Sequence, residues 1–164
     1  MAQFHRIIPC LWFDKEAEEA ANFYVSIFPN SRIVRTTRYS EAGHEIHGKP
    51  EGSVMTVVFA LDGQEFTALN GGPKFKFDEA ISLQVLCETQ EEVDYFWGKL
   101  TSGGEEGPCG WLKDRYGLSW QVTPTVLLDL LSDPNPEKAQ SVMNAVFHMR
   151  KIDMEALRQA YAGE

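Results

Sequence analysis

Residues 54–70, with the sequence VMTVVFALDGQEFTALN, decide the fold of this chain. Residues 54–61 and 65–70 are strand-like runs on either side of Asp62-Gly63. Both residues of that pair tolerate positive φ, as the tight turn of a β-hairpin requires. The stretch therefore predicts two antiparallel strands joined by a short turn.

A second hairpin is predicted further along the chain, in the sequence GWLKDRYGLSWQVT. Its strands are residues 110–113 and 118–123, and its turn is Asp114-Arg115-Tyr116-Gly117. Turn residues between two apolar runs again indicate antiparallel pairing.

The segment before the first hairpin predicts a strand, a helix and a strand. Residues 4–13 are apolar on both faces apart from His5 and Arg6, which predicts a strand buried on both sides. Asp14 is the predicted N-cap of a helix that ends at Pro29-Asn30, and residues 31–38 resume as a strand. The polar residues 39–52 predict a mobile loop.

The segment before the second hairpin repeats this order. Residues 80–87 predict a strand, and Thr89 with Glu92 forms a capping box for a helix that Gly103-Gly104 ends. The halves thus form a structural repeat without clear sequence identity. The remaining chain predicts helices, one capped by Asn135-Pro136 and one by Asp153.

Composition favours an acidic protein of the cytoplasm. The 164 residues carry a formal charge of −9, and no basic run is present that would bind nucleic acid or anionic lipid. The N-terminal sequence MAQFHRIIPCLWFDKE matches neither a signal peptide nor a transmembrane span. The three cysteines are widely spaced, which favours buried, reduced thiols over disulfides or a reactive cysteine.

Four phrases of the sequence together resemble a known family. They are FYVSIFPNSRI, LDGQEFTALNGGP, CGWLKDRYGLSWQVTP and KIDMEALRQAYAG. They are similar to the PhnB-like, or "3-demethylubiquinone-9 3-methyltransferase", family of the vicinal-oxygen-chelate superfamily, which includes glyoxalases, bleomycin resistance proteins and extradiol dioxygenases. The resemblance implies an α+β fold in which two paired βαβββ modules form curved mixed sheets around a cup. We expect one glyoxalase-like domain over residues 1–164, with modules at 1–72 and 79–123 and C-terminal helices at 124–164.

The resemblance also implies where a divalent metal would bind, with one ligand from the first and last strand of each module. By position these ligands are His5, then Phe66 or Ala68, then Ser82 and Gln121. Only His5 is a good ligand, so we expect a degenerate metal centre and no cofactor. The alternative is a retained metal whose shell water or substrate completes. His44 and His47 lie in the loop at i and i+3, which is a weak metal signal.

Alternation along the strands of the second module predicts a polar face. Ser82 and Gln84 share one face of their strand, as do Ser119, Gln121 and Thr123. Such a face indicates a ligand-filled cup, or equally a sheet surface that meets solvent. Asn70, Trp12 and Trp111 are further candidate substrate-binding residues, with ordinary packing as the alternative.

Three functions are open. The first is an enzyme acting on a small oxygenated or aromatic metabolite, with His5 and Gln121 as catalytic residues. The second is a protein that binds such a molecule without turnover, and the third is a structural or regulatory dimer. A methyltransferase of Rossmann type would need a glycine-rich turn that opens a helix, but Gly71-Gly72 does not open one and Gly103-Gly104 ends one. The resemblance implies a homodimer.

Overall fold

A computed structural model describes residues 4–164 of the chain. Residues 1–3, which begin the predicted first module and the N-terminal stretch tested for a signal peptide, lie outside the described residues. The chain divides into two compact units, Met1–Lys76 and Phe77–Glu164. Each unit is described by itself.

Within residues 4–76, the first unit contains a four-stranded mixed sheet and two helices. Its elements are β1 (Cys10–Phe13), α1 (Ala17–Ile27), β2 (Arg32–Arg38), α2 (His44–His47), β3 (Val54–Leu61) and β4 (Gln64–Asn70). The strand order is β1-β4-β3-β2, in which β1 is parallel to β4 and the other neighbours are antiparallel.

The predicted turn of the first hairpin is confirmed. Leu61 pairs with Gln64, which leaves Asp62 and Gly63 as a two-residue loop. Their φ angles are +47° and +84°, so both residues adopt the left-handed conformation that this short connection requires. The short loop keeps β3 and β4 in continuous antiparallel register.

The core of the first unit lies between α1 and one face of this sheet. The buried side of α1 carries three alanines together with Tyr24 and Ile27. Tyr24 stacks on Phe59, with 6.0 Å between ring centroids, and Phe59 stacks on Phe66 at 5.5 Å. Small residues let the helix approach the sheet, and the aromatic rings fill the remaining space.

Two predictions for the start of the chain are wrong. The predicted strand over residues 4–13 is confined to Cys10–Phe13, the residues that pair with β4. The preceding residues are not buried on both sides, since Ile7 is 83% exposed. Asp14 does not cap α1, because the N-cap residue is Glu16 and makes no capping hydrogen bond with its side chain. A side chain from another part of the sheet takes that role, as described below.

The second unit contains the other four-stranded mixed sheet and four helices. Its elements are β5 (Ser82–Cys87), α3 (Gln90–Thr101), β6 (Glu105–Glu106), β7 (Trp111–Lys113), β8 (Ser119–Pro124), α4 (Thr125–Leu131), α5 (Pro136–Val146) and α6 (Met154–Ala162). The strand order is β5-β8-β7-β6, with β5 parallel to β8 and the remaining pairs antiparallel.

The predicted capping box of α3 is present in a slightly different form. The backbone N–H of Glu92 donates to the Thr89 hydroxyl at 3.2 Å, as predicted. The Glu92 carboxylate accepts from the backbone N–H of Glu88, one residue before the N-cap, at 2.8 Å. Two N–H groups near the start of the helix are thereby satisfied.

The turn of the second hairpin is held by Asp114. This carboxylate is buried and accepts from the backbone N–H groups of Tyr116 and Leu118 and from the indole N–H of Trp120. Gly117, at φ +85°, supplies the left-handed residue of the turn. The turn therefore depends on one buried carboxylate as well as on glycine.

The C-terminal helices pack around their own apolar cluster. Asn135 and Asp153 cap α5 and α6 as predicted, by accepting from Glu137 N and Ala156 N. The cluster consists of Leu127, Val142, Val146, Ile152 and Leu157. The fold class is confirmed as α+β with two βαβββ modules, two mixed sheets and C-terminal helices. Among residues 4–164, no helix combines the length and apolar character needed to cross a membrane.

Candidate ligand-binding site

The sheet of the second unit has one apolar face and one polar face. In its register, Ser82 lies opposite Ser119, and Gln84 lies opposite Gln121. Residues opposite each other on neighbouring strands point to the same side, so these four side chains share a face, as the alternation predicts. The alternate residues are largely buried, as Val85, Leu112, Trp120 and Val122 show, and the buried side of α3 supplies Val93, Trp97 and Leu100.

The polar residues of this face differ in exposure and partners. The Gln121 side-chain N–H donates to the Ser82 hydroxyl at 2.9 Å, which joins β8 to β5 through their side chains. Gln84 is exposed, whereas Thr123 is buried. Both ends of the predicted row on β8, Ser119 and Thr123, are thus buried, and the exposed Gln84 lies opposite its middle residue, Gln121.

A cavity of about 530 Å³ lies beside this row, and all of its lining residues belong to the second unit. They are Glu79, Glu105, Glu106, Gly107, Pro108, Cys109, Trp111, Leu112, Lys113 and Ser119. The volume falls in the range of about 300–1,000 Å³ that is typical of small-molecule sites. The structure therefore offers room for a metabolite against β7 and β8.

Ser119 is the unusual residue of this cavity. Its side chain is 0% exposed, and its hydroxyl has no hydrogen-bond partner within the described part of the chain. A buried polar group without a partner costs about 1–3 kcal/mol of stability, and such groups are rare in folded proteins. Lys113 lies directly opposite Ser119 in the register of β7 and β8.

The cation of Lys113 is already paired. Its Nζ lies 2.5 Å from a carboxylate oxygen of Glu79. The hydrogen bond with Glu79 raises the pKa of Lys113, and the same bond lowers the pKa of Glu79. Both shifts stabilise the charged forms of the pair, so Lys113 is not a general base at neutral pH.

The segment that follows β6 is held from the C-terminal side of the unit. The backbone N–H of Cys109 donates to Met149 O at 2.8 Å, and that of Gly110 donates to Arg150 O at 2.7 Å. Gly110 has φ +81°, and a Cβ there would lie 2.9 Å from Val122 O. This position therefore requires glycine, because a side chain would be strained and would press on β8.

The candidate residues of the first unit contact its own turns and helix. The Trp12 indole N–H donates to Gly72 O at 2.9 Å, and a Cβ on Gly71 would lie 2.2 Å from that indole. The Asn70 side chain accepts from Ala17 N at 2.8 Å and donates to Val54 O at 3.1 Å. Asn70 is thus the side chain that caps α1, and both ends of its amide are used within the fold.

His5 precedes β1 and is partly buried. Its Nε2 atom is shielded from solvent and has no hydrogen-bond partner among residues 4–164. The loop histidines differ from His5, because His44 and His47 are the first and last residues of α2. The His47 ring accepts a hydrogen bond from Lys49 N at 2.9 Å and lies 3.2 Å from Ala42 O. The internal contacts of His47 do not favour a metal site in the loop.

The donor groups present do not fit the metal centre that the superfamily resemblance implies. Phe66 and Ala68 are buried core residues, and Phe66 stacks on Phe59, so this position offers no donor to a metal. In the second unit the corresponding groups are a hydroxyl and an amide that bond to each other. The described residues contain no group of three or more His, Cys, Asp or Glu side chains that could hold a metal ion.

The sequence patterns did not identify several of the residues that line the cavity. Lys113 follows Trp111 by two positions, so alternation places both on the polar face, and this signal was available. Glu79 and the β6 residue Glu105 were not recoverable in the same way. Neither lies on a strand of predictable register, and β6 has only two residues.

Comparisons with known proteins agree with the fold described above. Residues 5–123 match the model of the family described as 3-demethylubiquinone-9 3-methyltransferase. The PhnB protein from Bacillus cereus is 40% identical, with 73% of this chain and 99% of that protein covered and a TM-score of 0.63. A Pseudomonas aeruginosa protein is 16% identical over 74% of this chain and 98% of its own, and its TM-score of 0.58 shows a likeness of fold alone. No curated protein matches the chain. The chain therefore belongs to the PhnB-like, 3-demethylubiquinone-9 3-methyltransferase family.

Proposed function

We propose that this protein binds a small molecule in the cavity of its second unit, with an apolar or aromatic body and at least one polar atom. The observation that carries the proposal is the Ser119 hydroxyl, fully buried and without a partner in the described residues. A ligand atom that hydrogen-bonds to it removes the penalty of about 1–3 kcal/mol that the ligand-free protein bears. Binding is thereby favoured at that atom.

The remaining lining suits such a ligand. Trp111, Pro108 and Leu112 provide apolar surface, with the ion pair of Lys113 and Glu79 at the cavity as well. Small-molecule sites commonly combine apolar walls with a few placed polar groups. Within the same proposal, Ser82, Gln84, Gln121 and Thr123 extend the polar face on which a larger ligand would lie.

Catalysis is the second candidate, and the shielded Nε2 of His5 favours it. In this proposal His5 in the first unit, or Gln121 in the second, polarises or protonates an oxygenated substrate. A Rossmann-type methyl transfer receives no support, because Gly71 and Gly72 follow β4 without opening a helix and Gly103-Gly104 follow α3. A His5→Ala variant that keeps ligand affinity and loses turnover of the same compound would support catalysis, and unchanged turnover would contradict it.

We also propose a cytoplasmic homodimer. Three free cysteines suit a reducing compartment, and the dimer is what the resemblance to the superfamily implies. Light scattering during size-exclusion chromatography tests the dimer, and a mass near 18.5 kDa would contradict it. Fractionation of cells that express the tagged protein tests the location, and recovery outside the cytoplasmic fraction would contradict it.

The binding proposal is tested by a thermal-shift screen against small aromatic and oxygenated compounds, followed by calorimetry on the hits. We expect Ser119→Ala to weaken the best ligand about tenfold, since the loss of one buried hydrogen bond corresponds to roughly 1.4 kcal/mol. The same variant should stabilise the ligand-free protein, because it removes a buried, unpaired hydroxyl.

Ser26→Ala is the matched control. Its hydroxyl is exposed on α1 and bonds only locally, to Phe23 O at 2.6 Å, so neither binding nor stability should change appreciably. A screen without hits, or hits that Ser119→Ala binds as tightly as the unaltered protein does, would overturn the proposal.

A further inference from the structure

The charges at the cavity are unbalanced in favour of carboxylates. Three glutamates and one lysine are among its lining residues. Lys113 forms an ion pair with Glu79, in which Nζ lies 2.5 Å from Oε1. Glu106 accepts from the Trp97 indole N–H at 2.9 Å and lies 4.0 Å from Arg150. These two glutamates therefore already have partners.

Glu105 is different. It lies opposite Lys113 in the register of β6 and β7, but no hydrogen bond or ion pair holds its carboxylate among residues 4–164. Its negative charge is one of the smaller causes that raise the pKa of Lys113, so the two side chains attract each other electrostatically. Since Glu79 already pairs with Lys113, Glu105 adds an uncompensated negative charge at the cavity.

A negatively charged ligand would gain little binding energy in this cavity. Lys113 is the lining residue with a positive charge, and a ligand carboxylate would have to displace Glu79 and approach Glu105 at the same time. Like charges about 4 Å apart repel by roughly 1 kcal/mol in water, and by more where the screening is weaker. A positively charged ligand is favoured, because Glu105 attracts it and the charge of Lys113 is neutralised by Glu79.

Two further groups suit a cation. Trp111 lines the cavity, and the face of an indole ring attracts ammonium groups by about 0.5–2 kcal/mol, depending on how far they are desolvated. Ser119 is fully buried and lines the same cavity, and its unpartnered oxygen can accept a hydrogen bond from an ammonium N–H. This buried hydroxyl indicates a ligand independently of the acidic residues.

We propose that the cavity selects organic cations, namely amines with an aromatic or alkyl body. The ammonium group lies beside the Glu105 carboxylate, and the body packs against Trp111, on the same face of the sheet as Ser119. This inference rests on the proposed function, since it names the ligand class of the same site.

Three probes of nearly equal shape test it on the full chain: benzylamine, benzyl alcohol and benzoate. Affinities are measured by calorimetry or by NMR titration at low ionic strength, where charge effects are strongest. We expect benzylamine to bind about fivefold to tenfold more tightly than benzyl alcohol, and benzoate to bind most weakly. Added salt should reduce the preference for the amine.

Glu105→Gln tests the assigned residue. The variant keeps the shape and removes the charge, so the affinity ratio of amine to alcohol should fall at least threefold, to the preference that Trp111 supplies. Glu91→Gln is the matched control, because Glu91 is an exposed glutamate in the first turn of α3 and does not line the cavity. It should leave the ratio unchanged.

The outcomes separate the two proposals. If benzyl alcohol or benzoate binds at least as tightly as benzylamine, or Glu105→Gln keeps the preference, the cation proposal is overturned and the binding site stands. If no probe binds, the cation proposal is overturned too. The screen of neutral and oxygenated compounds with Ser119→Ala then decides the binding function on its own.

Discussion

Replacing Asn70 by alanine tests whether this residue belongs to the fold or to the ligand site. The substitution removes the hydrogen bond to Ala17 N at 2.8 Å and the one to Val54 O at 3.1 Å. Ala17 is 0% exposed, and the N-cap residue Glu16 provides no side-chain hydrogen bond, so the Ala17 N–H is left without a partner. We expect a loss of about 3 kcal/mol, roughly 1–3 for the orphaned N–H and about 1 for the second bond.

Urea denaturation measures this loss, and hydrogen exchange at the Ala17 amide localises it. Because the chain has two compact units, unfolding is followed with probes in each, and the probes in the first unit should report the loss. Asn22→Ala is the control, because Asn22 donates to Glu18 O from an exposed position on α1. We expect it to change stability by less than about 0.5 kcal/mol.

The result that refutes this reasoning is specific. If Asn70→Ala unfolds within about 0.5 kcal/mol of the unaltered protein and the Ala17 amide exchanges at its original rate, the side chain does not hold α1. Lost ligand affinity in such a stable variant would then assign Asn70 to the binding site.

Three further predictions concern the second unit and the cysteines. Burial, followed by the nearby Glu92 carboxylate, raises the pKa of Cys87 to about 12. An alkylating reagent at about pH 8 should therefore modify the exposed Cys10 and spare Cys87 until the protein unfolds, as peptide mass spectrometry would show, and equal rates would contradict this. Thr89→Ala removes the N-cap bond of α3 and should lower the free energy of unfolding by about 1 kcal/mol in urea, while an unchanged midpoint would contradict the cap. The Tyr161 hydroxyl, which donates to Asp133 at 2.7 Å, lowers the pKa of that carboxyl. This stabilisation is present above the unfolded-state pKa and is lost as pH falls through the folded-state value, so Tyr161→Phe should raise the carboxyl pKa in an NMR titration, and an unchanged pKa would argue against the bond.

Turn and cap residues predicted the hairpin and the helix ends correctly, because they act on backbone groups close to them in the sequence. Asp62-Gly63 determines its turn through the φ angles of two adjacent residues, and the caps of α3, α5 and α6 involve neighbours within a few positions. Alternation in β5 and β8 predicted which side chains share a face, because buried residues on the other face specify the register.

Non-local interactions could not be predicted in this way. The cap of α1 comes from Asn70, which lies 53 residues beyond Ala17 and became its neighbour only through the parallel pairing of β1 with β4. That Phe66 faces α1 and stacks on Phe59 also depends on which face of the sheet the helix covers. The missing partner of Ser119 is likewise a property of the assembled site.

The carbonyls of Met149 and Arg150 support the backbone of Cys109 and Gly110 at the edge of the cavity. Both lie in a stretch beyond residue 123, where the family match ends. Part of the cavity rim is therefore anchored by residues beyond the matched range 5–123. Replacing the stretch that contains Met149 and Arg150 would remove both acceptors, so the backbone at Cys109 and Gly110 depends on residues about 40 positions further along the chain.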